Sequence, residues 1–412
     1  MVNVSNGQRQ PVLDTAPQTL DVATGARVGA VVLTWDAGAA DAVELRVDAP
    51  DGQLFHRGRA KGTAATGQWV RDGTVFYLQD GSRPDETLAS VEIDLPVVWL
   101  SLDVKEVIGQ IVGRLFRSDA TQAILVPSHP RSLVCRVKTA GGTTYFKCYL
   151  AIESDLVALE AWAYETLAAI GVPVPNVLAL DLRRTSFPAP YVVLTELTGH
   201  PLAAHVDASG KTTHELYRQV GAYLARVHGV EVGGFGALDA AAYQDTGRVR
   251  GLASSWEVFI EGRLASLIHR LELTRAPERP LIAQIQAAAH RLGSSAGPFA
   301  GSARLLHGDF DSSQVFVGPD CVSLSGLFDF DDVAAGDPAW DLATIGHRDG
   351  SDALEAVLVG YAPDAALRAR LQRAKPLYDM LDSLMGIVSA FERGSTEHGT
   401  RELDRLRNGL EP

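Results

Sequence analysis

Cysteine is scarce. There are three in 412 residues, Cys135, Cys148 and Cys321, and their spacing fits neither a zinc site nor a disulfide framework. Cys135 and Cys148 lie in apolar, strand-like runs, where a free thiol acts as a small hydrophobe. No apolar run approaches the roughly 20 residues that cross a bilayer. The polar N-terminus MVNVSNGQRQPVLD lacks the basic and apolar regions of a signal peptide. These absences predict a cytoplasmic protein with no membrane partner. No long basic run occurs, and the formal net charge is -13. That disfavours nucleic acid, whose phosphates are neutralised by grouped cations, and suits a cationic substrate. Apolar content of 46% and charged content of 21% match a folded globular chain. The length exceeds one compact core and predicts two or three domains.

The pattern changes along the chain. Residues 1–16 read as a polar leader. From 17 to 95, short alternating runs, GAVVLTW, AVELRVDA, GTVFYLQD and LASVEIDL, are separated by Asp51-Gly52, Asp72-Gly73 and Asp80-Gly81. Regular short strands with such turns predict an all-β sandwich. The stretch from Ala42 to Gln79 resembles an immunoglobulin- or fibronectin-type module. Residues 96–199 hold a connector with a helix near 102–116, a second group of strands (122–127, 132–139, 143–150), a helix over about 153–170 and the apolar strand YVVLTEL. That helix carries Leu156, Leu159, Trp162, Ala163 and Leu167 at helical spacing, with Gly171 as its cap and Pro173 as its stop. From 200 to 412 the periodicity is helical, interrupted by two short strand pairs over 304–330.

The densest chemical signal lies between His307 and Ala343. This stretch holds eight Asp (309, 311, 320, 329, 331, 332, 337 and 341) and no Glu, Lys or Arg. A one-sign cluster of that kind needs a counter-charge, and bound Mg²⁺ is the natural candidate. Asp309 and Asp329 each follow a short apolar run, which places each at a strand end.

The order His307-Gly308-Asp309, then Gln314 before an apolar strand, then Asp329-Phe330, then Gly336-Asp337-Pro338-Ala339-Trp340-Asp341 resembles the aminoglycoside phosphotransferase family, which shares the protein-kinase-like fold. The resemblance covers roughly residues 105–410. It implies an α+β two-lobed kinase domain after the β-sandwich, with a nucleotide between the lobes. The activity implied is Mg²⁺-dependent transfer of the γ-phosphate of ATP (or GTP) to a hydroxyl group. Matched position by position, Asp309 is the catalytic aspartate that orients the acceptor hydroxyl. Asp329 is a Mg²⁺ ligand. The second metal position, Asn in the family, is Gln314 here, still a hard oxygen ligand with one more methylene of reach. Lys147, mid-strand in TTYFKCYL, pairs with Glu160 and anchors the nucleotide phosphates. Ser128 and Ser132 flank a glycine-free loop where kinases fold a hairpin over the phosphates. Glu196 and Leu197 follow the apolar strand as the hinge whose backbone reads the base. His307 braces its loop, and Asp337 and Asp341 lock a helix start.

Acceptor identity stays open at this level. An aminoglycoside or other antibiotic, a sugar or amino sugar, and a choline- or homoserine-like metabolite all carry the required hydroxyl. Trp256, Phe259, Arg263, Leu264, Tyr378, Asp379, Asp382, Phe391 and Glu392 fall on helices that would wall the acceptor cleft, with spacing that equally suits ordinary packing. Two other readings compete. One is a pseudokinase-like adaptor, motivated by Gln314 and the missing glycines. The other adds carbohydrate or protein contact through Trp35, Phe55, Trp69, Phe76 and Tyr77 of the module.

Overall fold

The computed structural model describes residues 11–20, 28–66, 70–71, 73–93, 104–126, 132–149, 156–183, 186–187, 189–205, 211–274, 277–392 and 395–410. The chain divides into two compact units, residues 1–157 with 178–195, and residues 158–177 with 196–412.

The first unit opens with eight strands: β1 (Val12–Leu20), β2 (Val28–Asp36), β3 (Ala42–Val47), β4 (Gln53–Arg59), β5 (Lys61–Ala65), β6 (Val70–Arg71), β7 (Val75–Asp80) and β8 (Arg83–Glu92). They form two four-stranded sheets, one of β1-β2-β5 with β6 on β2, the other in the order β4-β3-β7-β8. Alternation decides which side chains go inside. Val31, Leu33 and Trp35 from one sheet and Val43, Leu45, Phe76 and Leu78 from the other share a single buried cluster. Each such side chain contributes about 1.5–3 kcal/mol of transfer free energy. The Trp35 indole N–H, which burial would otherwise strand, donates to the Arg59 carbonyl at 2.9 Å.

The leader expected over 1–16 ends earlier than its composition suggests, because β1 begins at Val12. Pro17 sits inside this strand, and the register to β2 shifts between Pro17 and Thr19. A proline without an N–H is tolerated there because β1 is at the sheet edge and bulged.

The same unit continues with α1 (Val104–Phe116), β9 (Ala120–Val126), β10 (Ser132–Thr139), β11 (Gly142–Tyr149), α2 (Leu156–Ala169), which crosses into the second unit, β12 (Val177–Asp181) and β13 (Tyr191–Thr195). The sheet order is β12-β13-β11-β10-β9. One stripe of α1, Val104, Ile108, Ile111 and Val112, packs in the cluster that holds Cys135, Phe146, Cys148 and Val193. Cys135 and Cys148 are free and buried.

The second unit contains α3 (Lys211–Val227), α4 (Ala240–Thr246), α5 (Trp256–Leu273), α6 (Arg279–Ala296), α7 (Ala339–Arg348), α8 (Ser351–Tyr361), α9 (Ala365–Glu392) and α10 (Thr396–Leu410). Among them lie short strands: β14 (His200–Pro201), β15 (Phe235–Leu238), β16 (Gly251–Ala253), β17 (Arg304–Leu306), β18 (Val315–Val317), β19 (Leu324–Leu327) and β20 (Ala334–Gly336). They pair as β14-β18-β19 and β16-β15-β20-β17. The second strand pair expected over 304–330 is therefore completed by β20, which lies beyond that window. Trp256, Trp340 and Tyr378 form an aromatic cluster in this unit, with the Trp256 N–H donating to the Tyr378 hydroxyl at 2.8 Å. No described helix is long and apolar enough to cross a membrane.

Candidate active site

Strand β17 ends at Leu306, and His307-Gly308-Asp309 follow it. Gly308 has φ +88°, and a Cβ there would lie 2.0 Å from the Asp332 carbonyl oxygen, so only glycine fits this corner. The loop is held from beneath. The N–H groups of His307 and Gly308 donate to the Asp341 carboxylate at 2.8 and 3.0 Å, and His228 Nε2 lies 3.0 Å from the same group. Burial would push the Asp341 carboxyl up, but the His228 hydrogen bond and the nearby histidine charges hold it below the usual range. Asp337 accepts the Ala339 N–H at 3.0 Å and pairs with Arg370 at 2.6 Å. Asp337 thus serves the start of α7, whereas Asp341, in the first turn of that helix, holds the His307-Gly308 loop.

The His307 ring is fully buried against Phe310 and Phe330, and its Nε2 donates to the Phe328 carbonyl at 2.9 Å. The Phe328 N–H in turn donates to the Gln314 carbonyl at 3.1 Å. Phe328 therefore ties the loop of Asp309 to the turn of Gln314, and it is the residue before Asp329. The hairpin register (Val315 opposite Leu327) enforces this placement.

Asp329 takes a left-handed backbone, φ 65°, a conformation that non-glycine residues adopt at some energetic cost and that concentrates at functional sites. It is supported by a relay from α2. The Tyr164 hydroxyl accepts the Asp329 N–H at 3.0 Å and donates to Glu160 Oε1 at 3.0 Å. Glu160 is fully buried.

Asp309 itself is engaged by a cation. Arg348, the last residue of α7, donates to Asp309 Oδ1 at 2.6 Å, to Asp311 Oδ2 at 2.9 Å and to both oxygens of Asp382 at 2.6 and 3.0 Å. Burial, with Asp332 adding to it, holds the Asp309 carboxyl above the ordinary carboxylate range against the pull of Arg348. Burial also opposes the charge on Arg348, yet its three carboxylates keep the guanidinium more basic than usual.

The aspartate cluster is thus not uniformly uncompensated. Asp309 and Asp311 share Arg348, five residues beyond the stretch that lacks cations. Asp337 has Arg370, and Asp320 accepts from Ser323 in its own turn. Among the described residues no three His, Cys, Asp or Glu side chains converge as a metal cage. Mg²⁺ does not require one, since it is usually held by one or two carboxylates together with phosphate oxygens. Gln314 and Asp329 fit that pattern in kind: Gln314 meets Phe328, the residue before Asp329, across the hairpin, and the Gln314 amide makes no side-chain hydrogen bond among the described residues. Its carbonyl oxygen is a hard ligand.

Lys147 is 6% exposed on β11, an interior strand with β10 and β13 as neighbours, so it is no edge-strand surface lysine. Its Nζ lies 5.2 Å from the Tyr149 ring centroid. Lys147 and Glu160 fall in different compact units. Ser132 is buried at the start of β10, while Ser128 lies outside the described residues. Glu196 and Leu197 directly follow β13 and are partly exposed. Of the expected cleft residues, Trp256 and Tyr378 are core, Arg263 donates to Met385 Sδ at 3.5 Å, Asp379 pairs with Lys375, and Asp382 binds Arg348. The Glu392 side chain lies outside the described residues. Two residues escaped the sequence reading. Tyr164 is legible afterwards as Glu160 plus four on one helix face. Arg348 had no local signal beyond lying past the acidic run.

The APH phosphotransferase enzyme family model matches residues 126–377, more than half of the chain. The chain belongs to this phosphotransferase family. Solved structures agree on the fold. Aminoglycoside phosphotransferase APH(4)-Ia, as a thermostable mutant without ligand, superposes with a TM-score of 0.56 at 14% identity, over 73% of this chain and 98% of that one. The GDP complex of aminoglycoside 2'-phosphotransferase-IIIa gives 0.56 at 14% identity, over 75% and 99%. A Thermobifida fusca protein assigned as a fructosamine-3-kinase gives 0.52 at 20% identity, over 72% and 98%. As a member of the family the protein is a nucleotide-dependent phosphotransferase with a kinase-like fold.

Proposed function

We propose that this phosphotransferase moves the γ-phosphoryl group of ATP (or GTP) to a hydroxyl of a small molecule, with Asp309, Gln314 and Asp329 as its working residues. The observation that carries this reading is the double tie at Phe328, whose N–H and carbonyl join the Gln314 turn and the His307 side chain next to Asp329.

Asp309 accepts a hydrogen bond from the acceptor hydroxyl and aims it in line with the departing nucleotide. Phosphoryl transfer needs such positioning and charge neutralisation more than covalent help. Gln314 and Asp329 would hold Mg²⁺, which supplies positive charge to the phosphate oxygens when bound. The resemblance gives Lys147 and Glu160 to the anchoring of the remaining phosphates, and the segment from Ser128 to Ser132 to covering them. The backbone of Glu196 and Leu197 reads the base. In this reading residues 17–95 are an immunoglobulin/fibronectin-like sandwich that contacts carbohydrate or protein. Residues 96–199 and 200–412 are the two lobes, and the protein works in the cytoplasm. By net charge alone, -13, a cationic acceptor such as an aminoglycoside and a neutral sugar are both open. Related structures were solved with ADP and hygromycin B and with GDP and kanamycin.

The test is a panel of aminoglycosides, amino sugars, sugars and amino alcohols assayed with ATP or GTP and Mg²⁺, with transfer read by mass. Asp309→Asn should lower turnover by about 10²–10⁴-fold with nucleotide binding retained. A wild-type protein that binds nucleotide and never turns it over would favour the adaptor reading.

A further inference from the structure

Carboxylates crowd the face around Asp309, and an acidic cleft is the usual means of collecting ammonium groups. Here each of these carboxylates already has a partner within the chain. Arg348 bonds Asp309, Asp311 and Asp382 through four of its N–H groups, out of the five that a guanidinium carries. Asp349 accepts the N–H and hydroxyl of Ser312 at 2.9 and 2.6 Å. Asp379 receives Lys375 Nζ at 2.6 Å, and His347 Nε2 lies 3.7 Å from Asp382. Only one oxygen of Asp309, Oδ1, is engaged by Arg348. The other has no hydrogen bond among the described residues and is left for a hydroxyl.

We propose that the acceptor is a neutral polyhydroxy molecule of the sugar or polyol class, and that Arg348 is the specificity-determining residue that excludes an ammonium group beside the reacting hydroxyl. The proposal rests on the reading of Asp309 as the residue that orients that hydroxyl. An amino group next to the hydroxyl would have to share the space in which the guanidinium sits 2.6 Å from Asp309. Like charges in a partly buried site are poorly screened. Expelling Arg348 instead would break a two-pronged bond to Asp382, the geometry in which guanidinium–carboxylate pairs are strongest. A neutral hydroxyl requires neither.

The experiment titrates kanamycin into the full chain in the presence of ADP and Mg²⁺ by calorimetry, for the wild type, Arg348→Met and Arg348→Lys. The wild type should show no binding up to millimolar kanamycin, and Arg348→Lys should behave like it. Arg348→Met, which exposes the carboxylates, should bind about tenfold more tightly or better, the scale on which removing a like-charge clash acts. Should Arg348→Met fail to fold, the double variant Arg348→Met/Asp311→Asn, with one fewer uncompensated carboxylate, carries the same comparison. Micromolar binding by the wild type overturns the proposal, as does a folded, ADP-binding variant lacking Arg348 that gains no affinity for kanamycin. Failure of the phosphotransferase reading is seen separately, as a wild type that binds no ADP–Mg²⁺ or turns over nucleotide independently of Asp309, and it removes the basis of this proposal too.

Discussion

Tyr164 carries no reacting group, yet its hydroxyl is the joint between Glu160 and the backbone of Asp329. Replacing it with Phe keeps the ring's packing on Phe330 and removes that joint. Tyr164→Phe should lose about 1–3 kcal/mol of stability, the cost of leaving a partly buried donor unmet, and should lower kcat more than it changes acceptor KM. Urea denaturation and steady-state kinetics check both. Asp341 gives a pH prediction. Its carboxyl is depressed in the folded protein, so it contributes stability above the ordinary Asp value of about 3.9, and that contribution is lost as pH falls through the folded value. Stability measured against pH should fall on the acid side for the wild type and fall less steeply for Asp341→Asn, which should also be less stable at neutral pH. At this scale the motif residues were readable because each is a distinct chemical type at a distinct spacing. Arg348 was not readable, because nothing local links it to Asp309, 39 positions earlier.

The β18–β19 hairpin is the element that brings Gln314 opposite Phe328, the residue before Asp329, the two positions proposed to hold the metal being Gln314 and Asp329. Neither its length nor its composition announces this. The hydrogen bond from Phe328 to Gln314 does. Gln314→Ala should raise the Mg²⁺ concentration needed for half-maximal turnover by about tenfold, the worth of one contact to a charged group, while Gln314→Asn keeps a carbonyl ligand and should stay near the wild type. A Mg²⁺ titration of turnover separates the two. Most elements followed their periodicity. The helix expected over 153–170 is Leu156–Ala169 among the described residues, ending with Gly171 at φ +74°. In the helical region from 200 to 412, α9 runs unbroken from Ala365 to Glu392 with Pro376 inside it. Strands β15 and β16 escaped notice because they are three or four residues long and owe their extended form to pairing, β15 with β20 and β16 with β15. β1 escaped because Pro17 and its polar neighbours argue against a strand until the edge position beside β2 is known.

For the molecule as a whole, the Asp309 site and the paired N-terminal sheets belong to different compact units. Leu45 is fully buried in the core those sheets share. Leu45→Ala should cost about 2–5 kcal/mol, seen as an earlier transition in calorimetry, while Asp309-dependent turnover at room temperature persists. Loss of turnover in a folded Leu45→Ala protein would mean that the sheets contribute to the reaction itself.

The order of chemical types along the chain was enough, by itself, to determine the family, the alternation of the early strands and the identity of the two strand-end aspartates. These are local or motif properties, set by side-chain type and spacing. Tertiary structure alone decided that Arg348 balances Asp309, that Tyr164 holds Asp329, and that β17 pairs with β20. Each of these joins residues more than 25 positions apart, and contacts at that range depend on how packed elements converge, which no window of sequence contains.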